Sequence, residues 1–175
     1  MVLPSEVARR RFGTLLAAYG QRLYRYARNL SRNDTEAEDL VQETFMRAWR
    51  AIGDLRDERA TGAWLVAILR REFARRYRKR LSEDTDNIDD WPNLGEAPKL
   101  NADTMALRQA LDRLPLAFSE PLLLQVLWGY SLEEIAQELA LPAKTVATRL
   151  FRARQRLRTA LGGEPLLTVI AEQKR

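Results

Sequence analysis

A chain of 175 residues with 46% hydrophobic and 30% charged side chains can bury one ordinary core or two small ones, and its composition is not that of a disordered protein. Cysteine and histidine are both absent, which excludes disulfides, thiol catalysis, serine–histidine triads and every zinc site built on imidazole or thiolate. A formal charge of +5 with a pI near 9.9 favours a polyanionic partner.

The opening segment, MVLPSEVARRRF, lacks the apolar core of a signal peptide, and the longest nearly uncharged apolar run (121–130) is too short to cross a bilayer. A soluble, cytoplasmic protein with no direct membrane insertion is therefore expected. Apolar residues at Phe12, Leu15, Leu16, Tyr19, Leu23, Tyr26, Ala27 and Leu30 recur at steps of three and four, which predicts an amphipathic helix. Its opposite face carries Arg9, Arg10, Gln21, Arg22, Arg25 and Arg28. SRND breaks the pattern, and a second helix is predicted to begin in DTEAED with Asp34 or Thr35 as its cap. Leu40, Val41, Phe45, Ala48, Trp49 and Ile52 would form its inner stripe, while Asp39, Gln42, Glu43 and Met46 share a stripe facing outward. A third helix follows GDLRDERATG, with Trp64, Leu65, Ile68, Leu69, Phe73 and Tyr77 on its apolar side. It ends in RREFARRYRKR, where seven of eleven residues are basic. Cations suit a helix C-terminus, but so many close together repel one another, and a nucleic-acid backbone laid along the helix relieves that repulsion. The interleaved Phe73 and Tyr77 suit stacking on exposed bases.

Charge is distributed unevenly. Residues 1–80 carry 18 basic and 10 acidic side chains, 81–103 carry 1 and 7, 104–161 carry 8 and 5, and 162–175 carry 2 of each. The acidic stretch holds two prolines, a glycine and three asparagines and shows no helical period. It reads as a flexible linker between two basic helical units, an all-α chain of two small domains. A surface loop within one domain is the alternative. At low ionic strength such a linker would also compete with nucleic acid for the basic faces.

Beyond the linker, MALRQALDRLP is a short helix stopped by Pro115, and another runs from about Ser119 to Gly129. The stretch YSLEEIAQELALPAKTVATRLFRARQRLRTAL has the pattern of a helix-turn-helix. Ser131 and Glu134 make a capping box, and Leu132, Ile135, Ala136 and Leu139 an inner stripe. Pro142 ends that helix, and the next starts at Thr145 or just before it, with Val146, Leu150, Ala153 and Leu157 inside. Lys144, Ala147, Thr148, Phe151, Arg152 and Gln155 then face outward, with Arg149, Arg154, Arg156 and Arg158 on the flanks. Small and hydroxylated groups near the start of such a helix allow close approach to base edges, and arginines reach guanine or phosphate.

Together, DTEAEDLVQETFMRAWRAI (34–52), GAWLVAILRREFARRYRKR (62–80), ALDRLP (110–115) and YSLEEIAQELALPAKTVATRLFRARQRLR (130–158) resemble extracytoplasmic-function, group 4, sigma factors of the sigma-70 family. The resemblance implies a sigma-2 domain in 1–80, the acidic linker in 81–103, a sigma-4 domain in 104–161 and a tail in 162–175. It implies that Asp39, Gln42, Glu43 and Met46 bind the clamp coiled coil of the largest subunit of core RNA polymerase. The −10 element would be recognised and melted by the 54–62 loop and third helix, through Arg56, Arg59, Trp64, Arg70, Arg71, Arg75 and Arg78. The −35 element would be read in the major groove by Lys144, Thr145, Ala147, Thr148, Arg149, Phe151 and Arg152, with another face of that domain on the polymerase flap. The linker would thread toward the RNA exit region. An anti-sigma factor is the implied further partner, and no catalytic residue, cofactor, metal or small-molecule substrate is implied. Arg71 and Arg75 stand where the family often has Asn and Asp or Asn, which suggests stronger backbone contact there or a different −10 sequence. Ala140 replaces a frequent Gly, at a cost of about 1 kcal/mol if its backbone is left-handed. Lys144-Thr145-Val146 replaces the usual Gly-Thr-Val start, and Ala147 a frequent basic residue. Two other classes compete: a stand-alone helix-turn-helix regulator, which leaves the first unit without a purpose, and a nucleic-acid enzyme, for which no acid–base or metal constellation exists.

Overall fold

A computed structural model describes residues 6–54, 60–83 and 102–162, and all of the regular structure among them is helical. The chain divides into two compact units, within Met1–Gly95 and Glu96–Arg175.

The first unit packs α1 (Glu6–Ser31), α2 (Asp34–Arg50) and α3 (Thr61–Glu83) against one another, with a short 3-10 turn at Ile52–Asp54 after α2. α1 and α2 are joined by only two residues. Arg32 takes a left-handed backbone, φ +57°, and its N–H returns to Arg28 O at 2.9 Å. Asn33, extended at φ −137°, caps α2 by accepting from the Glu36 amide at 3.0 Å. The cap expected at Asp34 or Thr35 is therefore one residue or more too late. Asp34 is instead the first helical residue, and its Oδ1 accepts from the Tyr24 hydroxyl and from Arg28 Nε, each at 2.8 Å. Arg28, expected on the solvated face of α1, is thus turned onto α2. Two charge-assisted hydrogen bonds on one partly buried oxygen set the angle of the hairpin.

Tyr26, Leu23, Ala27 and Leu30 from α1, Ala37, Leu40, Phe45 and Ala48 from α2, and Leu65, Val66 and Leu69 from α3 form the core. Phe12 closes its end, edge-on to Phe45 and Trp49. Leu16, expected inside, is exposed. The inner face of α3 is rotated from expectation: Trp64 and Ile68 are only half buried, whereas Val66 is fully enclosed. α3 also begins one residue before Gly62 and extends three residues past the basic run.

The second unit comprises α4 (Ala102–Asp112), α5 (Leu116–Trp128), α6 (Leu132–Glu138) and α7 (Ala143–Ala160). α4 begins inside the segment expected to be linker. α5 begins three residues earlier than expected, because Pro115 starts it through its carbonyl, which accepts from the Phe118 and Ser119 amides. Pro121 is carried inside the helix, buried beside Leu122, Leu123 and Leu124. The missing amide deprives only the carbonyl of Ala117, an exposed residue in the first turn of the helix. Gly129 ends α5 at φ +73°, a conformation that favours glycine. Residues 84–101, most of the acidic stretch, and 163–175, nearly all of the tail, lie outside the described residues.

Candidate polymerase and nucleic-acid interfaces

α6 and α7 form the expected helix-turn-helix, and each joint has a local cause. Ser131 Oγ accepts from the Glu134 amide at 3.1 Å while Glu134 Oε2 accepts from the Ser131 amide at 2.7 Å, a complete capping box. α6 ends with the Ala140 amide on Gln137 O and the Leu141 amide on Ala136 O, at 3.2 and 2.9 Å. That pair of bonds is a Schellman motif, and it places Ala140 in the left-handed position at φ +51°. α7 starts from Pro142, whose carbonyl accepts from Thr145 and Val146. Thr145 itself is therefore inside the first turn and not at the cap.

Val146, Leu150, Ala153 and Leu157 bury the inner stripe of α7. Lys144, Ala147, Thr148, Phe151 and Arg152 are all exposed on the opposite side, and Thr145 and Arg149 are half buried at its margin. Phe151 is 66% exposed, more than any other large apolar side chain among the described residues. Thr148 Oγ1 donates to Lys144 O at 2.9 Å, which leaves its methyl group available on the surface. Two of the flanking arginines are used within the unit: Arg154 donates to Gln125, and Arg156 lies 4.6 Å over the Phe118 ring. These contacts fix α7 against α5 and leave its outward side to meet a partner.

On α2, Asp39, Gln42 and Met46 are exposed along one stripe, and Glu43 is half buried beside them. The carboxylates are not isolated. Arg47 Nε donates to Glu43 Oε1 at 3.0 Å, and Arg76 on α3 lies 4.0 Å from Asp39 Oδ2 and reaches Asp39 O at 3.4 Å. The stripe thus presents an acidic edge backed by cations of the same unit.

The basic end of α3 divides into separate environments. Arg71 is exposed, whereas Trp64 and Arg70 are half buried. Phe73 and Tyr77 stack on each other, with centroids 6.3 Å apart, and both are half buried. Arg75 is 59% exposed and bound to Glu72. Arg56 and Arg59, and the side chain of Arg78, lie outside the described residues.

Glu72 is the residue that sequence reasoning missed. It is 4% exposed, at the position that continues the Leu65–Leu69 inner face of α3. Its Oε1 lies 2.6 Å from Arg47 Nε, and its Oε2 accepts from Arg75 Nε and Nη2 at 3.0 and 2.8 Å. A buried carboxylate is tolerated when cations and their N–H groups replace its water, as two guanidinium groups do here. Positions 65, 69 and 72 share a face, but a stripe drawn from apolar residues passes over a carboxylate there.

Residues 15–82 match sigma-70 region 2, and residues 104–157 match sigma-70 region 4. The chain is 36% identical over 158 residues to the extracytoplasmic-function sigma factor SigE of Mycolicibacterium smegmatis, an alignment that spans 84% of this chain and 60% of that protein. It is 31% identical over 160 residues to the RNA polymerase sigma factor NccH of Alcaligenes xylosoxydans xylosoxydans, covering 86% of each. Among solved structures, the sigma factor RpoE of Bartonella quintana, in complex with the anti-sigma factor NepR, aligns with a TM-score of 0.71 at 31% identity, over 89% of this chain and 99% of that one. CnrH, in complex with the cytosolic domain of CnrY, aligns at 0.59 and 28% identity, over 90% and 91%. Two helical units carrying these faces and these matches in this order place the chain in the extracytoplasmic-function branch of the sigma-70 family.

Proposed function

We propose that this sigma factor docks on core RNA polymerase through the Asp39–Gln42–Glu43–Met46 stripe and directs initiation by reading the −10 element with α3 and the −35 element with α7. The observation that carries the reading is α7 itself, whose inner stripe is fully buried while Lys144, Ala147, Thr148, Phe151 and Arg152 stand exposed together. A helix held in this way presents side chains to base edges in the major groove, and the arginines at its margin suit phosphates. Melting needs no bond chemistry from the protein. It needs the opened strand to be held more tightly than the duplex, against a cost of roughly a few kcal/mol per extruded base. Arg71 and Arg75, exposed four residues apart on one face of α3, suit the backbone of that strand. The complex of the Bartonella quintana relative with its anti-sigma factor supports control of this chain by a partner of that class.

Run-off transcription with purified bacterial core polymerase tests the reading. The chain should confer promoter-specific initiation, and Asp39→Ala with Gln42→Ala should weaken core association while thermal unfolding is unchanged. A chain that binds core but directs no initiation, or tight operator binding without polymerase, would refute it in favour of a stand-alone regulator.

A further inference from the structure

Apart from the Arg76–Asp39 pair, one continuous series of side chains joins α2 to α3. Glu43 on α2 accepts from Arg47, Arg47 lies against Glu72 on α3, and Glu72 accepts twice from Arg75. The series runs from the stripe proposed to meet polymerase to an arginine proposed to meet DNA. Its last two members differ in exposure: the Glu72 side chain is 5% exposed and that of Arg75 59%.

A guanidinium has five N–H groups in a rigid plane. Arg75 spends Nε–H and one Nη2–H on a single oxygen of Glu72. The two bonds lie along one edge of the plane, which sets its orientation and leaves three N–H groups beyond that edge. Glu72 cannot follow Arg75 outward, because it is enclosed among core residues and its other oxygen is held by Arg47. An unanchored arginine on a helix surface samples many rotamers, and fixing it on contact costs entropy. Here that ordering is already supplied by the fold.

We propose that Glu72 is a positioning residue for promoter opening: anchored by Arg47, its buried carboxylate holds the Arg75 guanidinium in the orientation that engages the DNA backbone. The inference rests on the reading of α3 as the −10 face and adds to it a residue that touches no nucleic acid. Specificity of effect follows from charge. Glu72→Gln leaves Arg75 positively charged but offers only one amide oxygen to two guanidinium groups, so the orientation is lost while the charge is kept.

The test uses holoenzyme assembled from full-length chain and bacterial core polymerase, with rates of promoter opening measured across a salt series. Arg75→Ala should slow opening and lower the salt slope by about one, as expected for one lost phosphate contact. Glu72→Gln should slow opening by about ten-fold without lowering the slope, and should add nothing in the Arg75→Ala background. A carboxylate with a merely structural role would slow opening equally in both backgrounds, and that result overturns the proposal. Arg75→Lys covers the case in which Glu72→Gln fails to fold. Lysine keeps the charge but cannot hold two bonds along one rigid edge, so it should reproduce the slow opening with the slope intact, and wild-type opening by that variant overturns the proposal as well. If Arg75→Ala opens promoters normally, the assignment of Arg75 to DNA fails first, which separates that failure from failure of the positioning role.

Discussion

Ala140→Gly should stabilise the second unit, although it removes a methyl group and makes no new contact. The Schellman bonds from Ala140 and Leu141 hold residue 140 at φ +51°, where a Cβ crowds the neighbouring carbonyl. Relief of that crowding contributes about 1–2 kcal/mol. Glycine gives back about 0.4–1 kcal/mol through the greater freedom of the unfolded chain. The side chain is exposed, so little burial is lost, and the net gain is roughly 0.5–1 kcal/mol. For a unit of this size that corresponds to a rise in midpoint on the order of 2–8 °C. Because a chain of two units need not unfold in one step, residue-resolved amide exchange is the better assay. Protection at Leu150, Ala153 and Leu157 in α7 should increase, while Leu65 and Leu69 in the first unit stay unchanged. Ala140→Val should act in the opposite direction. Unchanged or reduced protection in Ala140→Gly would show that residue 140 is not strained and refute the reasoning.

Two further substitutions probe the joints of the helices. Ser131→Ala removes one half of the capping box and should destabilise the second unit by about 1 kcal/mol, seen as faster exchange through α6 and into α7. Asp34→Ala leaves the Tyr24 hydroxyl and Arg28 Nε without their shared acceptor and should cost about 2–3 kcal/mol in the first unit by denaturant titration. Tyr24→Phe, which removes only one donor, should cost clearly less, and an equal loss in the two variants would contradict the shared-acceptor geometry.

The second unit was the more legible in the sequence. The stripe Val146, Leu150, Ala153, Leu157 and the Ser131–Glu134 box follow from spacing alone, because both are local rules that no tertiary contact overrides here. The start of α5 is harder to read, because Pro121 is compatible with a first turn, whereas the structure carries it inside a helix that begins at Leu116. The cap of α2 was ambiguous for a different reason: Asn33, Asp34 and Thr35 can all cap, and the choice is made by the left-handed Arg32 before them. Glu72 was hidden by composition. Within seven cations it reads as one charge among many, and a stripe drawn from apolar residues passes over a carboxylate that occupies a core position by recruiting Arg47 from another helix. The outward faces of α2 and α7 were readable as geometry, but not the arginines already committed to Gln125, Phe118 and Glu72, since those partners are distant in sequence or unexpected.

The grip of Asp34 on Tyr24 and Arg28 also bears on how the chain acquires its shape. These partners are ten and six residues away, across a two-residue connection, so the loop that must close is short and its entropic cost small. Such near-neighbour closure favours rapid assembly of the α1–α2 hairpin, ahead of the packing of α3. A nascent chain would then offer α3 a preformed seat, with Arg47 in place to receive the one carboxylate that its basic run must bury.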